Sequence, residues 1–302
     1  MSNSNFINAK FGKVVTAMVT PFNDDMSLDL SGAVQLARWL EKNGSDGLVL
    51  AGTTGEGPVL TDNEKIDLFR EVSAAITIPV IANTGSNDTE HSVELTKRAS
   101  ATNIAGILAV TPYYSRPPQS GIEMHFKAIA AATGLPILIY DIPVRTGRKV
   151  EYSTLIRLLT TVDNIVGVKD AAGDVVETSR LISEVPDAEI YSGEDALTFA
   201  LVCHGAKGVI SVASHWAGFE MSKMIRHISE GRLNLARESH AAMLTSFVFE
   251  TSVEAPNPIP AKAAMKALGL PSGKCRLPLG DVESIHAKAD SVVSLFKTDY
   301  VF

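Results

Sequence analysis

Apolar residues in the first two thirds of this chain come in short runs separated by longer mixed segments. The runs begin near Val14, Gly47, Pro79, Ala105, Pro136, Ile165, Glu189 and Lys207. Each is short, and most are rich in Val, Ile and Leu, without strict alternation. That is the pattern of strands buried on both faces, as in a parallel sheet covered by helices. The intervening segments carry helical spacing. Ile66, Phe69, Val72 and Ala75 share a face behind a Thr61-x-x-Glu64 capping box. Val34, Ala37 and Leu40 form another stripe, with Gly44 placed to end it.

Eight such runs alternating with helical segments, about 20–33 residues apart, are what a (β/α)8 TIM barrel requires. A doubly wound sheet also alternates, but it opens with a Gly-rich dinucleotide turn. Here the first run leads into Thr20-Pro21-Phe22 instead, which favours the barrel. Beyond about residue 232 the strand signals stop. Helical patterns follow over Leu235 to Phe249, after Pro256-Asn257-Pro258-Ile259-Pro260, and from Val282 to Phe296. The reading is an α/β catalytic barrel over 1–232 and a C-terminal helical appendage over 233–302.

Composition narrows the function classes. The 27 Lys and Arg against 34 Asp and Glu give a net charge of −7 over 302 residues, which argues against a nucleic-acid partner. Cys203 and Cys275 form no C-x-x-C pair, which suits a reducing cytoplasmic setting rather than a disulfide scaffold. No apolar run approaches the roughly 18 residues that span a bilayer, and the opening MSNSNFINAKFGKVV lacks a signal-peptide core. A cytoplasmic protein with no membrane partner is expected.

In a barrel the chemistry lies where the strands end, so the residues closing each run matter most. Lys169 closes Ile165-Val166-Gly167-Val168, where a barrel interior would hold its amine away from water. Such an amine is more readily neutral and able to form a Schiff base with a carbonyl substrate. The same residue could also snorkel into solvent or pair with Asp170. Tyr140 closes the neighbouring run, and a phenol beside the amine could move the protons that Schiff-base formation requires. Gly52-Thr53-Thr54-Gly55 offers hydroxyl and backbone donors to a carboxylate, although it could equally be an ordinary turn. Arg145, in a loop with Pro143 and Gly147, suits bidentate capture of a second carboxylate or simple exposure. Glu194 and Asp195 follow the seventh run, where phosphate-binding barrels hold their anion, so a non-phosphorylated oxo-acid is favoured. The seven histidines show no metal-ligand spacing, and neither a metal nor a cofactor is implied.

Taken together, Gly52-Thr53-Thr54-Gly55-Glu56, Thr111-Pro112-Tyr113-Tyr114, Tyr140 to Gly147, Gly167-Val168-Lys169, Ser192-Gly193 and Gly208-Val209-Ile210-Ser211 resemble one family. It is the pyruvate-dependent class I aldolase family that contains dihydrodipicolinate synthase and N-acetylneuraminate lyase. Thr53-Thr54, the Arg145 in Tyr-x-x-Pro-x-Arg-Thr-Gly, and the segment from Pro256 to Lys262 resemble the synthase branch more than the lyase branch. The resemblance implies that Lys169 forms the pyruvate Schiff base and that Thr53 and Thr54 hold the pyruvate carboxylate. It further implies a proton relay of Tyr140, Thr54 and Tyr114, the last from a neighbouring subunit. Arg145 would receive aspartate-semialdehyde, Gly193 and Ile210 would line the pyruvate end, and the chain would form a homotetramer built as a dimer of dimers. A retro-aldol lyase on a sialic or deoxy-keto sugar acid is the alternative, and a non-catalytic pyruvate-binding barrel is a reading from another class. The joint presence of Lys169, Tyr140, Thr54 and Tyr114 argues against the latter.

The chain departs from the family pattern in places. Asp141 and Asp170 stand where asparagine and glutamate are common, Gly57 where serine is, and Glu254-Ala255-Pro256 has one residue more than usual. Lysine-inhibited members tend to carry histidine and glutamate at positions corresponding to Asp62, Lys65 and His91. A cation at Lys65 repels a cationic effector. Lysine is therefore expected to inhibit weakly or not at all, and a clear dose-dependent loss of activity at low-millimolar lysine would contradict this.

Overall fold

The computed structural model describes residues 9–301. Eight parallel strands close into a barrel in sequence order. They are β1 (Val14–Ala17), β2 (Gly47–Leu50), β3 (Val80–Asn83), β4 (Gly106–Val110), β5 (Ile137–Asp141), β6 (Ile165–Asp170), β7 (Glu189–Ser192) and β8 (Gly208–Ser211). The last pairs with the first, Val209 opposite Val14. Each strand starts within one residue of the apolar run that signals it. The agreement has a physical cause, because every strand is covered on both faces and so is built mainly of apolar residues, with the polar ones gathered toward the strand ends.

The two faces feed two separate cores. Val15, Val49, Ile81, Leu108, Leu138 and Ile210 point into the barrel, where Phe11 and Tyr191 also lie. Val14, Leu48, Val80, Ile107, Ile139 and Ile190 point outward against the helices. The barrel lumen is therefore packed rather than open. Gly106 is needed for that packing, since a Cβ there would sit 2.7 Å from the Phe11 ring.

Alternation breaks at one place. Register between β5 and β6 slips after Ile137, which faces Ile165, while Leu138 already faces Gly167. Ile165 and Val168 belong to the outer core, and Val166 packs against the inner one. Strict alternation would therefore have turned Val168 inward and Lys169 outward. The extra residue at Val166–Gly167 reverses this, as a bulge does, and Lys169 falls opposite Tyr140. Gly167 permits the close approach: a Cβ on it would lie 2.0 Å from the Glu189 carbonyl oxygen.

The covering helices are α1 (Leu30–Lys42), α2 (Asp62–Ala75), α3 (Thr89–Ser100), α4 (Gln119–Ala131), the single turn α5 (Pro143–Thr146), α6 (Tyr152–Thr161), α7 (Val175–Glu184), α8 (Thr198–Cys203) and α9 (Ser214–Ser229). The capping box forms in both directions: Thr61 N–H donates to Glu64 at 2.8 Å, and Glu64 N–H donates to the Thr61 hydroxyl at 3.3 Å. The predicted stripes hold with one adjustment each, because Val34 and Ala75 lie half-buried at the edges. Three further helices follow, α10 (Leu233–Phe249), α11 (Ile259–Ala267) and α12 (Ser284–Ser294). The first packs on α9, where the Trp216 indole N–H donates to Ser246 at 2.9 Å. The second folds back over the barrel rim, where Lys262 reaches Glu56.

Outside the barrel wall, Asp141 faces Asp170 across the same β5–β6 pairing. Val150 N–H donates to Asp141, and Thr178 donates to Asp170. Burial pushes the Asp141 carboxyl up to about 7 from 3.8, with the charge on Asp170 acting in the same direction. The folded chain thus holds this proton more tightly than an unfolded one, so the contribution to stability falls as pH rises from about 4 to about 7. Asp141→Asn keeps the acceptor for Val150 and removes the charge. It is expected to raise Tm by several degrees at pH 8 and to leave it nearly unchanged at pH 4. Equal shifts at both pH values in thermal melts would contradict the assignment.

Candidate active site

The strand ends set Lys169 beside Tyr140, and Thr53 and Arg145 line the same cavity as Tyr140. Lys169 and Tyr140 are register partners, both buried, and the lysine Nζ lies 4.2 Å from the centre of the Tyr140 ring. On its other side Lys169 is paired with Tyr191. That second phenol is committed to the barrel floor: it donates to Glu189 at 3.0 Å and accepts from the Phe11 N–H. Tyr140 instead faces a cavity of about 500 Å3 that Thr53, Asn83, Arg145 and Asn257 also line. Lys169 lies over the Tyr140 ring and does not itself line the cavity. Ile210 is buried in the inner core with Tyr140 and Ala171. Gly193 donates to the Asp170 carbonyl at 2.6 Å, and a Cβ on it would approach that of Ala171 to 2.9 Å.

The turn after β2 is held by hydrogen bonds from several elements. Ala51 and Glu56 flank Gly52–Gly55 with φ of +53° and +54°, a left-handed conformation that costs non-glycine residues about 1–3 kcal/mol. The surroundings impose it. Thr20 donates to the Gly55 carbonyl at 2.7 Å, Asn83 to the Ala51 carbonyl at 3.0 Å, and Gly57 N–H to the Gly52 carbonyl at 3.0 Å. Thr53 is half-buried and Thr54 fully buried. The Thr54 hydroxyl accepts from the Asn257 amide at 2.9 Å, a contact across 203 residues of sequence.

Arg145 is exposed on the α5 turn and borders the cavity. The turn is closed by Thr146, which donates to the Ile142 and Arg148 carbonyls, and by Gly147 with φ of +70°. Glu194 is nearby: burial and Asp195 raise its carboxyl, while Lys169 and Arg145 pull it down. Asp195 accepts from the N–H groups of Val212 and Ala213 at 2.8 and 2.9 Å. Those amides would otherwise be open to an anion after β8, so the chain satisfies them with its own carboxylate.

Tyr114 is not brought to this cavity by its own chain. Its side chain is 90% exposed and its φ is +71°, whereas Tyr113 lines the cavity wall. Asp62, Lys65 and His91 also border the cavity. His91 lies 3.0 Å from Asp62, and burial lowers the Lys65 amine, with Asp62 opposing. Among the described residues no group of three or more His, Cys, Asp or Glu is placed to hold a metal.

No motif in the sequence marks the residues that fix the β2 turn from the far end of the chain. Glu56 is buried and pairs with Lys262 at 2.6 Å, and it accepts from the Arg276 N–H at 2.8 Å. The Arg276 guanidinium donates to the Val59 carbonyl at 2.9 Å and pairs with Glu64 at 2.6 Å. Pairing with Arg276 holds the Glu64 carboxyl down at about 2. A helix-compatible stretch containing a lysine and an asparagine gives no local hint of such partners.

Comparison with known proteins agrees with this geometry. Residues 10–295 match the model of the dihydrodipicolinate synthetase family. The chain is 48% identical to 4-hydroxy-tetrahydrodipicolinate synthase of Moorella thermoacetica over 275 residues, 89% of this chain and 92% of that one. Its fold is similar to a crystal structure of the synthase from Cyanidioschyzon merolae with lysine bound (TM-score 0.91, 42% identity, covering 95% of this chain and 100% of that one). It is also similar to one from Bacillus anthracis (TM-score 0.90, 40% identity, covering 94% and 98%). A closed eight-stranded barrel carrying these residues at its strand ends, matched over nearly its whole length, belongs to the dihydrodipicolinate synthetase family.

Proposed function

We propose that this enzyme condenses pyruvate with L-aspartate-4-semialdehyde to give 4-hydroxy-tetrahydrodipicolinate, in the route to diaminopimelate and lysine. The observation that carries the reading is the Lys169–Tyr140 register pair, with a buried amine against a phenol that faces a cavity. Lys169 Nζ adds to the C2 ketone of pyruvate, and loss of water gives the iminium. Tyr140 takes and returns the protons that carbinolamine formation and dehydration require. Removal of a C3 proton yields the enamine, whose C3 attacks the aldehyde carbon of the second substrate. The semialdehyde's own amine then displaces Lys169 at C2 and closes the ring. Thr53 and the β2 turn hold the pyruvate carboxylate, and Gly193 and Ile210 shape the space behind it. Arg145 takes the carboxylate of the semialdehyde from the cavity side.

A barrel over 1–232 and an appendage over 233–302 fit this division of labour, the appendage bracing the β2 turn. The exposure and left-handed backbone of Tyr114 support its insertion into a neighbouring subunit, and so a homotetramer of paired dimers in which it joins Thr54 and Tyr140. Free Cys203 and Cys275 fit a cytoplasmic setting, and among the described residues no helix is long and apolar enough to cross a membrane. Lys65 at the cavity edge supports weak or absent inhibition by lysine.

Borohydride reduction in the presence of pyruvate is expected to leave a pyruvyl adduct on Lys169 by peptide mass spectrometry, and unmodified Lys169 would refute the mechanism. Arg145→Ala is expected to lower turnover with the semialdehyde by about 100-fold while adduct formation persists. Turnover within about threefold of the parent would point instead to a lyase acting on a longer sugar acid.

A further inference from the structure

The Thr54 hydroxyl has one proton and accepts a hydrogen bond from the side-chain amide of Asn257. A hydroxyl that accepts in this way is left to donate in another direction. Asn257 is 8% exposed and borders the same cavity as Tyr140. Its own position is not free to drift. Its backbone N–H donates to Thr251, and α11, which begins two residues later, plants Lys262 on Glu56. The appendage thus grips the β2 turn at Thr54 and again at Glu56, both contacts lying in the interior.

We infer that Asn257 is a positioning residue that fixes the Thr54 hydroxyl as a donor toward the reacting centre, by supplying the hydrogen bond that this hydroxyl accepts. The inference rests on the proposed function, in which Thr54 joins Tyr140 and Tyr114 in moving protons. Without the amide, the hydroxyl is free to rotate, and the relay loses its preset direction. The appendage is then part of the catalytic apparatus and not only a cover for the barrel.

Asn257→Asp tests the direction of this bond. The carboxylate has the same shape but cannot donate, whereas the carboxylic acid can, and burial brings its protonation into an accessible pH range. Condensation of pyruvate and aspartate-semialdehyde is followed for the wild type, Asn257→Asp and Asn257→Ala from pH 6.5 to 8.5. Both variants are expected to lose tenfold or more in kcat at pH 8.5, with KM for pyruvate changed less than threefold. The kcat ratio of Asn257→Asp to Asn257→Ala is expected to rise at least fivefold as pH falls to 6.5. A ratio that is flat or rises with pH would show that Thr54 does not depend on a donor at 257 and would overturn the inference. Should Asn257→Asp not fold, Thr54→Val and Asn257→Ala are combined. A double variant no slower than the slower single one supports the coupling, and multiplicative losses overturn it. Normal wild-type turnover with either adverse result defeats this inference alone, whereas no wild-type condensation defeats the proposed function with it.

Discussion

The position of the Lys169 amine depends on one extra residue in the wall of the barrel. Between Ile137 and Leu138 the partner strand advances by two, from Ile165 to Gly167. This reverses which residues face inward for the remainder of β6. Backbone geometry alone decides the matter, because side chains in a strand alternate and a single inserted residue exchanges the two faces. The glycine at the slip lets the β6 backbone approach Glu189 closely, and the outer core still receives Val168. Once Lys169 faces inward between Tyr140 and Tyr191, the two phenols are separated by their environment. Tyr191 is tied to Glu189 and Phe11, while Tyr140 faces the cavity.

The second constraint is the brace on the β2 turn. A turn carrying left-handed Ala51 and Glu56 is strained, and it persists because contacts from several elements determine it. Most of the distant contacts come from the appendage, through Asn257, Lys262 and Arg276. A buried ion pair such as Glu56–Lys262 adds little net stability relative to an apolar pair, because both charges lose their water. Removing one partner is costly, about 3–5 kcal/mol, because it strands the other charge in the interior. The pair therefore specifies where the turn sits. Lys262 and Arg276 also stack on the Phe22 ring at 4.1 and 4.3 Å, which extends the brace to the loop after β1.

Charge is distributed to the same end. The chain is acidic overall, with a net charge of −7, yet Lys169, Arg145 and Lys65 are gathered at or near one cavity. The anion position that phosphate-binding barrels use after their last strands is filled by Asp195, which takes the backbone amides of Val212 and Ala213 for itself. In the proposed function a carboxylate substrate is met instead by the β2 turn and by Arg145, which borders the cavity.

The eight strands were legible in the sequence because double-sided burial forces each into a short apolar run, and such a run needs no knowledge of its partners. The Thr61–Glu64 box was legible for a similar reason, since its hydrogen bonds are local. Lys169, Tyr140, Thr53, Thr54 and Arg145 could be selected because they close strands or sit in turns with few other uses. The sequence by itself therefore determined the barrel, the strand ends and the residue types at the mouth. Only the tertiary structure decided which way Lys169 faces, since a one-residue slip leaves no mark on composition or spacing. It alone also joined Asn257 to Thr54 and Lys262 to Glu56, and it turned Tyr114 outward where Tyr113 lines the cavity. Those facts depend on contacts between residues far apart in the chain, and long-range contacts are fixed by how the whole molecule packs.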